Sequence, residues 1–351
     1  MKLSVRPVRA AMRAPFVAGH GTVTERELLL VSLEAIDRET GYGEAAALES
    51  YDGVGTDEVG AALEACRPVL ESYRDATPIA DVLARCSEAT VLPQALAAID
   101  LALWDLAGRR TREPVWRLLG ARQPPPVPVN WTIAAPDRSG AALQAAQART
   151  AGFGTVKVKV AIGDDPGRLA AVRAFAGPQM AIRIDANGAW TGGEAAASLR
   201  ALEPVGIELC EEPVSGVAAI RALWTARESE IPLALDESAD DPDAFTRQAA
   251  DAVCLKIARC GGISGTIDAA KRARAAGYEV YLASTLDGPL GIAGALHAAA
   301  LIAPDRASGL ATLGLFDERG DPFPPIRGAL PVPSGHGLGT RLPQWYGLTP
   351  G

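Results

Sequence analysis

In the second half of this chain, charged residues close one short apolar run after another. VKVKV carries Lys157 and Lys159, AIRID ends on Asp185, IELC leads into Glu211, LAL into Asp236, and VCLKI carries Lys256. The carboxylates at 185, 211 and 236 stand 26 and 25 residues apart, and the lysines bracket them. Carboxylates gathered at one point without a counter-charge repel one another and take up protons, so the set implies a cation. All-oxygen ligation favours Mg²⁺, with Mn²⁺ as the alternative, over zinc. Lys157 and Lys159 are two apart and share one face of a strand, while Val156, Val158 and Val160 take the other. Burial and a nearby cation lower a lysine's pKa and suit it to general-base work. A lysine on each side of a metal-bound carboxylate fits removal of the proton α to that carboxylate, with the metal stabilising the enediolate.

Taken alone, any strand-end acid reads equally well as a helix cap, and Asp236-Glu237-Ser238 has the composition of one. Three such acids on successive strands, flanked by lysines, require an architecture that brings strand ends together. The runs VPVNWT, TVKVKV, AIRIDA, GIELCE, PLALDE, AVCLKI, EVYLAS and LATLGLF recur at about 20 to 32 residues with Ala-rich segments between them, the period of parallel βα units. Eight units close a barrel whose strand carboxyl ends share one face. An open doubly wound sheet fits less well, because no Gly-rich phosphate loop follows the first strand.

The expected fold is therefore α/β, a (β/α)7β TIM-type barrel. Pro124-Pro125-Pro126 marks its start. Residues 1–123 read as an α+β capping domain, 124–318 as the barrel, and 319–351 as a Pro/Gly-rich segment returning to the cap. Within the cap, Met1–Arg9 and Leu28–Ser32 read as strands, Gly41–Gly43 as a turn, and Thr56–Tyr73 and Val91–Arg110 as helices.

Net charge is −8 with no long run of either sign, which argues against a nucleic-acid partner. Cys66, Cys86, Cys210, Cys254 and Cys260 form no CxxC pair and read as free, mostly buried thiols in a reducing compartment. MKLSVRPVRA has no apolar signal core. No apolar stretch nears the roughly 18 residues of a membrane span. The expectation is a cytoplasmic protein without a membrane partner.

The motifs KVKV, DANGAW, CEEPV, LDES and LKIARCGG resemble those of the enolase superfamily, and specifically its muconate-lactonizing subgroup. YGEAAAL and AIDLALWDLAGRRTREPVWRLLG extend the resemblance into the cap. It implies Mg²⁺ ligation by Asp185, Glu211 and Asp236, with Glu211 rather than Glu212 because the ligand holds the first position of E-[EQ]-P. It places Asn187 beside the metal and the KxK pair on Lys157 and Lys159, with Lys159 as the α-proton base. Lys256 becomes the opposite lysine, a second acid/base in racemases and a stabilising cation in dehydrating members.

Leu282–Ile292 looks like the seventh-strand segment of o-succinylbenzoate synthases, whose hydroxyls and helix N-terminus hold a carboxylate. That implies substrate contacts from Ser284, Thr285 and Asp287. Thr312 and Gly314 fall where dipeptide epimerases carry Asp-x-Asp, so a substrate ammonium would lack its counter-ion. The implied activity is o-succinylbenzoate synthesis by dehydration, in menaquinone biosynthesis. N-acylamino acid racemisation or dipeptide epimerisation is the alternative, and muconate-type cycloisomerisation the third. The partner is a small-molecule carboxylate, and homo-oligomers are common among such barrels. Pro15–Glu27 reads as a specificity lid that includes His20, and Asn130 and Trp131 as further pocket candidates.

Overall fold

The computed structural model describes residues 1–18, 21–73, 77–317 and 319–348. Alternating apolar residues such as Leu28, Leu30 and Val8 build long antiparallel strands, Lys2–Ala18 on Gly21–Glu34, with a register shift between Ala11 and Phe16. These run well beyond the short strands read from the sequence. The expected turn at Gly41–Gly43 lies instead inside a third strand, Thr40–Ala45, paired with the second. The glycines serve a close approach. Helix Pro93–Thr111 crosses this strand so tightly that a Cβ on Gly43 would sit 2.0 Å from the Ala98 carbonyl oxygen, and one on Gly41 2.1 Å from that of Ala102. Helix Thr56–Ser72 matches its sequence signal, and Ile79–Ala89 is an additional helix. Both pack with the buried face of Pro93–Thr111 over the three-stranded sheet.

Seven parallel strands follow, in chain order around a curled sheet: Asn130–Ile133, Thr155–Lys159, Ala181–Asp185, Ile207–Glu211, Leu233–Leu235, Ala252–Lys256 and Glu279–Ala283. The eighth position of the ring falls earlier than LATLGLF. Ser308 bridges Val129 and Gly309 bridges Ala283, both parallel, while Leu313–Leu315 is a 3-10 turn. A Cβ on Gly309 would meet that of Ala283 at 3.1 Å. The closing strand therefore uses a small residue at a close approach, which leaves no apolar run to read.

Helices 138–150, 165–176, 192–202, 217–226, 262–275 and 289–302 pack around the sheet. Their starts are built locally: Asp137 caps Gly140 N at 2.9 Å, and Thr191 with Glu194 forms a capping box. After Leu233–Leu235 a 3-10 turn, Glu237–Asp240, and further turns stand in place of a helix, at the shortest spacing in the repeat.

Beyond Phe316 the chain runs back against the cap. Asp317 N donates to Ala11 O at 2.8 Å, Arg6 donates to Tyr346 O at 2.5 Å, and Leu338 N donates to the buried Asp105 carboxylate at 2.8 Å. The five cysteines are free, and no helix among the described residues is long and apolar enough to cross a membrane.

Candidate active site

Strand register sets the height of each functional side chain. Lys159 pairs with Asp185 and Asp185 with Glu211, so these residues lie at one level of the barrel wall. Ala234 pairs with Glu211, which puts Asp236 just above on the next strand. Asp185, Glu211 and Asp236 each offer a carboxylate oxygen, these oxygens lie within 4.8 Å of one another, and all three residues are buried. A compact, buried, all-oxygen donor set of this kind fits a hard divalent cation.

The lysines face the triad from opposite sides. Lys159 Nζ donates to Asp185 at 2.6 Å and to the Asn187 amide oxygen at 2.7 Å. Lys157 Nζ lies 2.8 Å from Asp185 and also donates to Glu211. Across the cavity Lys256 Nζ donates to Asp236 at 2.5 Å and to the Tyr51 hydroxyl. Arg183, buried beneath the triad, donates to Glu211 at 3.4 Å and stacks on Tyr281 at 4.3 Å.

The three acids dominate the electrostatics of the buried lysines. Burial pulls the Lys157 ammonium down, but attraction to Asp185, Glu211 and Asp236 outweighs it and holds its pKa well above the usual lysine value. Burial also opposes charge on Lys256, and Asp236 reverses the sign there too. In the other direction, Lys157 and Lys159 overcome the burial of Asp185 and hold its pKa below the ordinary range. Three acids within reach of buried lysines make ion pairs that dominate desolvation.

Glu212 turns out of the triad at φ +39°, and its carboxylate accepts from Asp236 N at 2.8 Å and Ser238 N at 3.1 Å. Burial, then repulsion from Glu237, pushes its pKa up to about 8. The structure thus brings Glu211, and not its neighbour, into the donor set. Asn187, at φ +46°, donates from its backbone N to Asp185 at 2.9 Å and from its side chain to Glu237 at 2.8 Å, bracing both Asp185 and Lys159.

Above the triad lies a cavity of about 100 Å³, with Lys157, Lys159, Asn187, Asp236 and Lys256 in its wall. Ser284, Thr285, Leu286 and Thr312 line it from the seventh and eighth positions of the barrel, Asn130 and Thr132 from the first strand, and Leu48 and Tyr51 from the cap. The Ser284 and Thr312 hydroxyls are 3.0 Å apart. Among the described lining residues the only carboxylate is Asp236, and Gly314 stands outside the lining.

Asp287 stands outside the cavity lining. Its carboxylate accepts from the Thr285 hydroxyl at 2.7 Å and lies buried away from the cavity lining. The cause is the turn at Leu286, whose φ of +60° sends residues 284–286 to the cavity and 287 back into the protein. Trp131 packs edge-on against Phe153 at 5.3 Å and is not part of the lining either. Phe16 and Val23, from the segment read as a lid, do line the cavity, while His20 lies outside the described residues. Tyr51 escapes sequence reasoning altogether, and Arg259 lies within LKIARCGG without being singled out. Arg259 donates to the Tyr51 hydroxyl at 2.8 Å and joins Lys256 over the Tyr51 ring. No local motif marks Tyr51, 205 residues from Lys256.

A parallel βα barrel with an acidic triad and opposed lysines at its carboxyl face, closed by an α+β cap, defines an acid–base barrel enzyme with a site suited to a metal ion. The chain belongs to the mandelate racemase / muconate lactonizing enzyme family of the enolase superfamily. The family's N-terminal domain matches residues 1–120, and the enolase C-terminal domain-like family matches residues 140–345. The chain is 41% identical to o-succinylbenzoate synthase of Mycobacterium tuberculosis over 226 residues, 60% of this chain and 66% of that protein. It is 28% identical to N-succinyl-L-Arg/Lys racemase of Bacillus cereus over 304 residues, covering 83% of this chain and 81% of that protein. The crystal structure of that racemase matches with a TM-score of 0.87 at 26% identity, over 97% of this chain and 95% of the other. A dipeptide epimerase from Cytophaga hutchinsonii, solved with Mg and D-Ala-L-Val, matches with a TM-score of 0.85 at 26% identity over 96% and 95%.

Proposed function

We propose that this enzyme removes the proton α to a carboxylate, and that its reaction is the dehydration of a succinyl-cyclohexadiene carboxylate to o-succinylbenzoate, a step of menaquinone synthesis. The observation that carries the first part is the opposition of Lys159 and Lys256 across the buried triad. Asp185, Glu211 and Asp236 are the residues that would hold Mg²⁺. When bound, the cation supplies positive charge that stabilises the enediolate. Lys159 takes the α-proton. Lys256, kept charged by Asp236, faces the developing negative charge from the other side. Asn187 and Asp185 fix the Lys159 amino group at the cavity wall. Loss of the proton and the neighbouring hydroxide makes the ring aromatic, which drives the reaction.

Two observations favour this product over a dipeptide. The described lining offers a substrate ammonium no carboxylate beyond the triad, and Ser284, Thr285 and Thr312 supply neutral hydroxyls suited to an acyl chain. The greater identity to the mycobacterial o-succinylbenzoate synthase points the same way. A second reading, racemisation of N-succinylamino acids, draws on the same two lysines working alternately from opposite faces, and on the likeness to the Bacillus cereus racemase.

Deuterium exchange in D₂O, followed by NMR, separates the two. A dehydratase turns over the diene and exchanges N-succinylamino acids poorly; a racemase washes deuterium into both enantiomers. Lys159→Ala is expected to cut α-proton chemistry by about 10²- to 10⁴-fold, the range for loss of a general base. Undiminished turnover of every carboxylate in that variant would sink the mechanism.

A further inference from the structure

Arg26, on the cap strand Gly21–Glu34, is 3% exposed. Among the described residues, its side chain holds one backbone carbonyl of a residue that lines the cavity and two that stand just before the cap's lining residues. Nη1 donates to Ala47 O at 2.6 Å, Nη2 to Ala46 O at 3.1 Å, and Nε to Leu286 O at 3.3 Å. Ala46 and Ala47 lead directly into Leu48 and Tyr51, the cap's contribution to the lining. Leu286 lines the cavity from the barrel together with Ser284 and Thr285, and Val23, three residues before Arg26, lines it from the lid strand.

The barrel wall needs such a hold. Leu286 sits at φ +60°, a conformation that a non-glycine residue keeps only when its surroundings fix it. The cap and barrel carbonyls come from segments 239 or more residues apart, and one rigid guanidinium fork joins them. Asp287 and Asp52 supply the counter-charge around it.

We propose that Arg26 is a positioning residue that sets the separation of the cap wall at Leu48 from the barrel wall, Ser284–Leu286. In this way it controls the fit of the part of the substrate lying between them, away from the α-carbon. The kinetic part of this inference rests on the α-proton chemistry proposed above; the structural part stands without it.

Arg26→Met and Arg26→Lys test it. Met removes the charge and all the donors. Lys keeps the buried charge, but its compact ammonium cannot present the planar fork that joins both walls. In both variants KM is expected to rise about tenfold, the scale of one lost packing contact, while kcat and the affinity for Mg²⁺, measured by calorimetry, stay near wild type. Amide hydrogen exchange of the substrate-free protein should quicken in residues 46–51 and 284–287 together and stay unchanged in the Thr155–Lys159 strand.

Should Arg26→Met fail to fold, Arg26→Lys decides. An unchanged KM, a fall in kcat as large as the rise in KM, or unchanged exchange in both segments would overturn the proposal. Wild-type protein without α-proton turnover would instead refute the function, and the exchange measurement would still judge Arg26.

Discussion

Glu44→Gln should make the protein more resistant to alkaline pH. Glu44 lies at the joint of cap, barrel and C-terminal segment, 2% exposed. The Tyr346 hydroxyl donates to it, and the glycines at 288 and 291 let it approach the start of helix Pro289–Ile302; a Cβ on either would come within 2.5 Å of its oxygens. Burial, then repulsion from Asp287, pushes its pKa from an ordinary 4.5 to about 8. Arg26 is the nearby cation.

The sign follows from proton counting. Between about 4.5 and 8 the folded chain keeps a proton on Glu44 that the unfolded chain has released. Its contribution is therefore complete below 4.5 and is lost as pH rises through 8. The limiting slope is about 1.4 kcal/mol per pH unit. From pH 6 to pH 8 the wild type should thus lose about 3 kcal/mol at most relative to Glu44→Gln, with no further divergence above that.

Glutamine keeps an acceptor for Tyr346 and cannot ionise. Asp100, raised to about 7, and Glu212, raised to about 8, titrate in the same range but in both proteins, so they cancel in the difference. Urea unfolding at pH 6, 7, 8 and 9 measures that difference. Parallel stability curves for the two proteins would refute the reasoning.

Glu211→Gln should weaken Mg²⁺ binding by more than about tenfold in calorimetry, whereas Glu212→Gln, whose side chain is held by Ser238 and Asp236 N, should bind Mg²⁺ like the wild type. Gly43→Ala should cost about 1–3 kcal/mol of unfolding free energy by overpacking, since its Cβ would lie 2.0 Å from Ala98 O. Gly60→Ala, with its nearest contact at 3.9 Å inside helix Thr56–Ser72, should instead stabilise by about 0.5–1 kcal/mol.

What the sequence made legible were features written in consecutive residues. Val156, Val158 and Val160 alternate with Lys157 and Lys159, so strand, face and chemistry could be read together. The same holds for Asp185, Glu211, Asp236 and Lys256 at the ends of their apolar runs. Features set by contact between distant segments were not legible. Gly41 and Gly43 read as a turn because nothing nearby discloses the helix pressed onto them. The eighth barrel position hid behind Ser308-Gly309, where close packing replaces apolar bulk. Asp287 lies outside the cavity lining, beyond the positive φ at Leu286, a turn that no local pattern announces.

The KxK pair shows where geometry adds to motif. Spacing places Lys157 and Lys159 on one face but does not divide their roles. Lys157 lies between two buried carboxylates, Asp185 and Glu211. Despite its burial, those acids hold its proton more tightly than water would. A group so held acts as a fixed positive charge, since a base must be able to release and regain a proton near the operating pH. Lys159 stands two residues nearer the barrel mouth and touches one carboxylate and one neutral amide oxygen. It pairs with Asp185 at the last position of its strand and lines the cavity. With one carboxylate and one neutral amide oxygen as partners and open access to a substrate, Lys159 is the residue proposed as the base, and Lys157 the one proposed as the fixed cation beneath it.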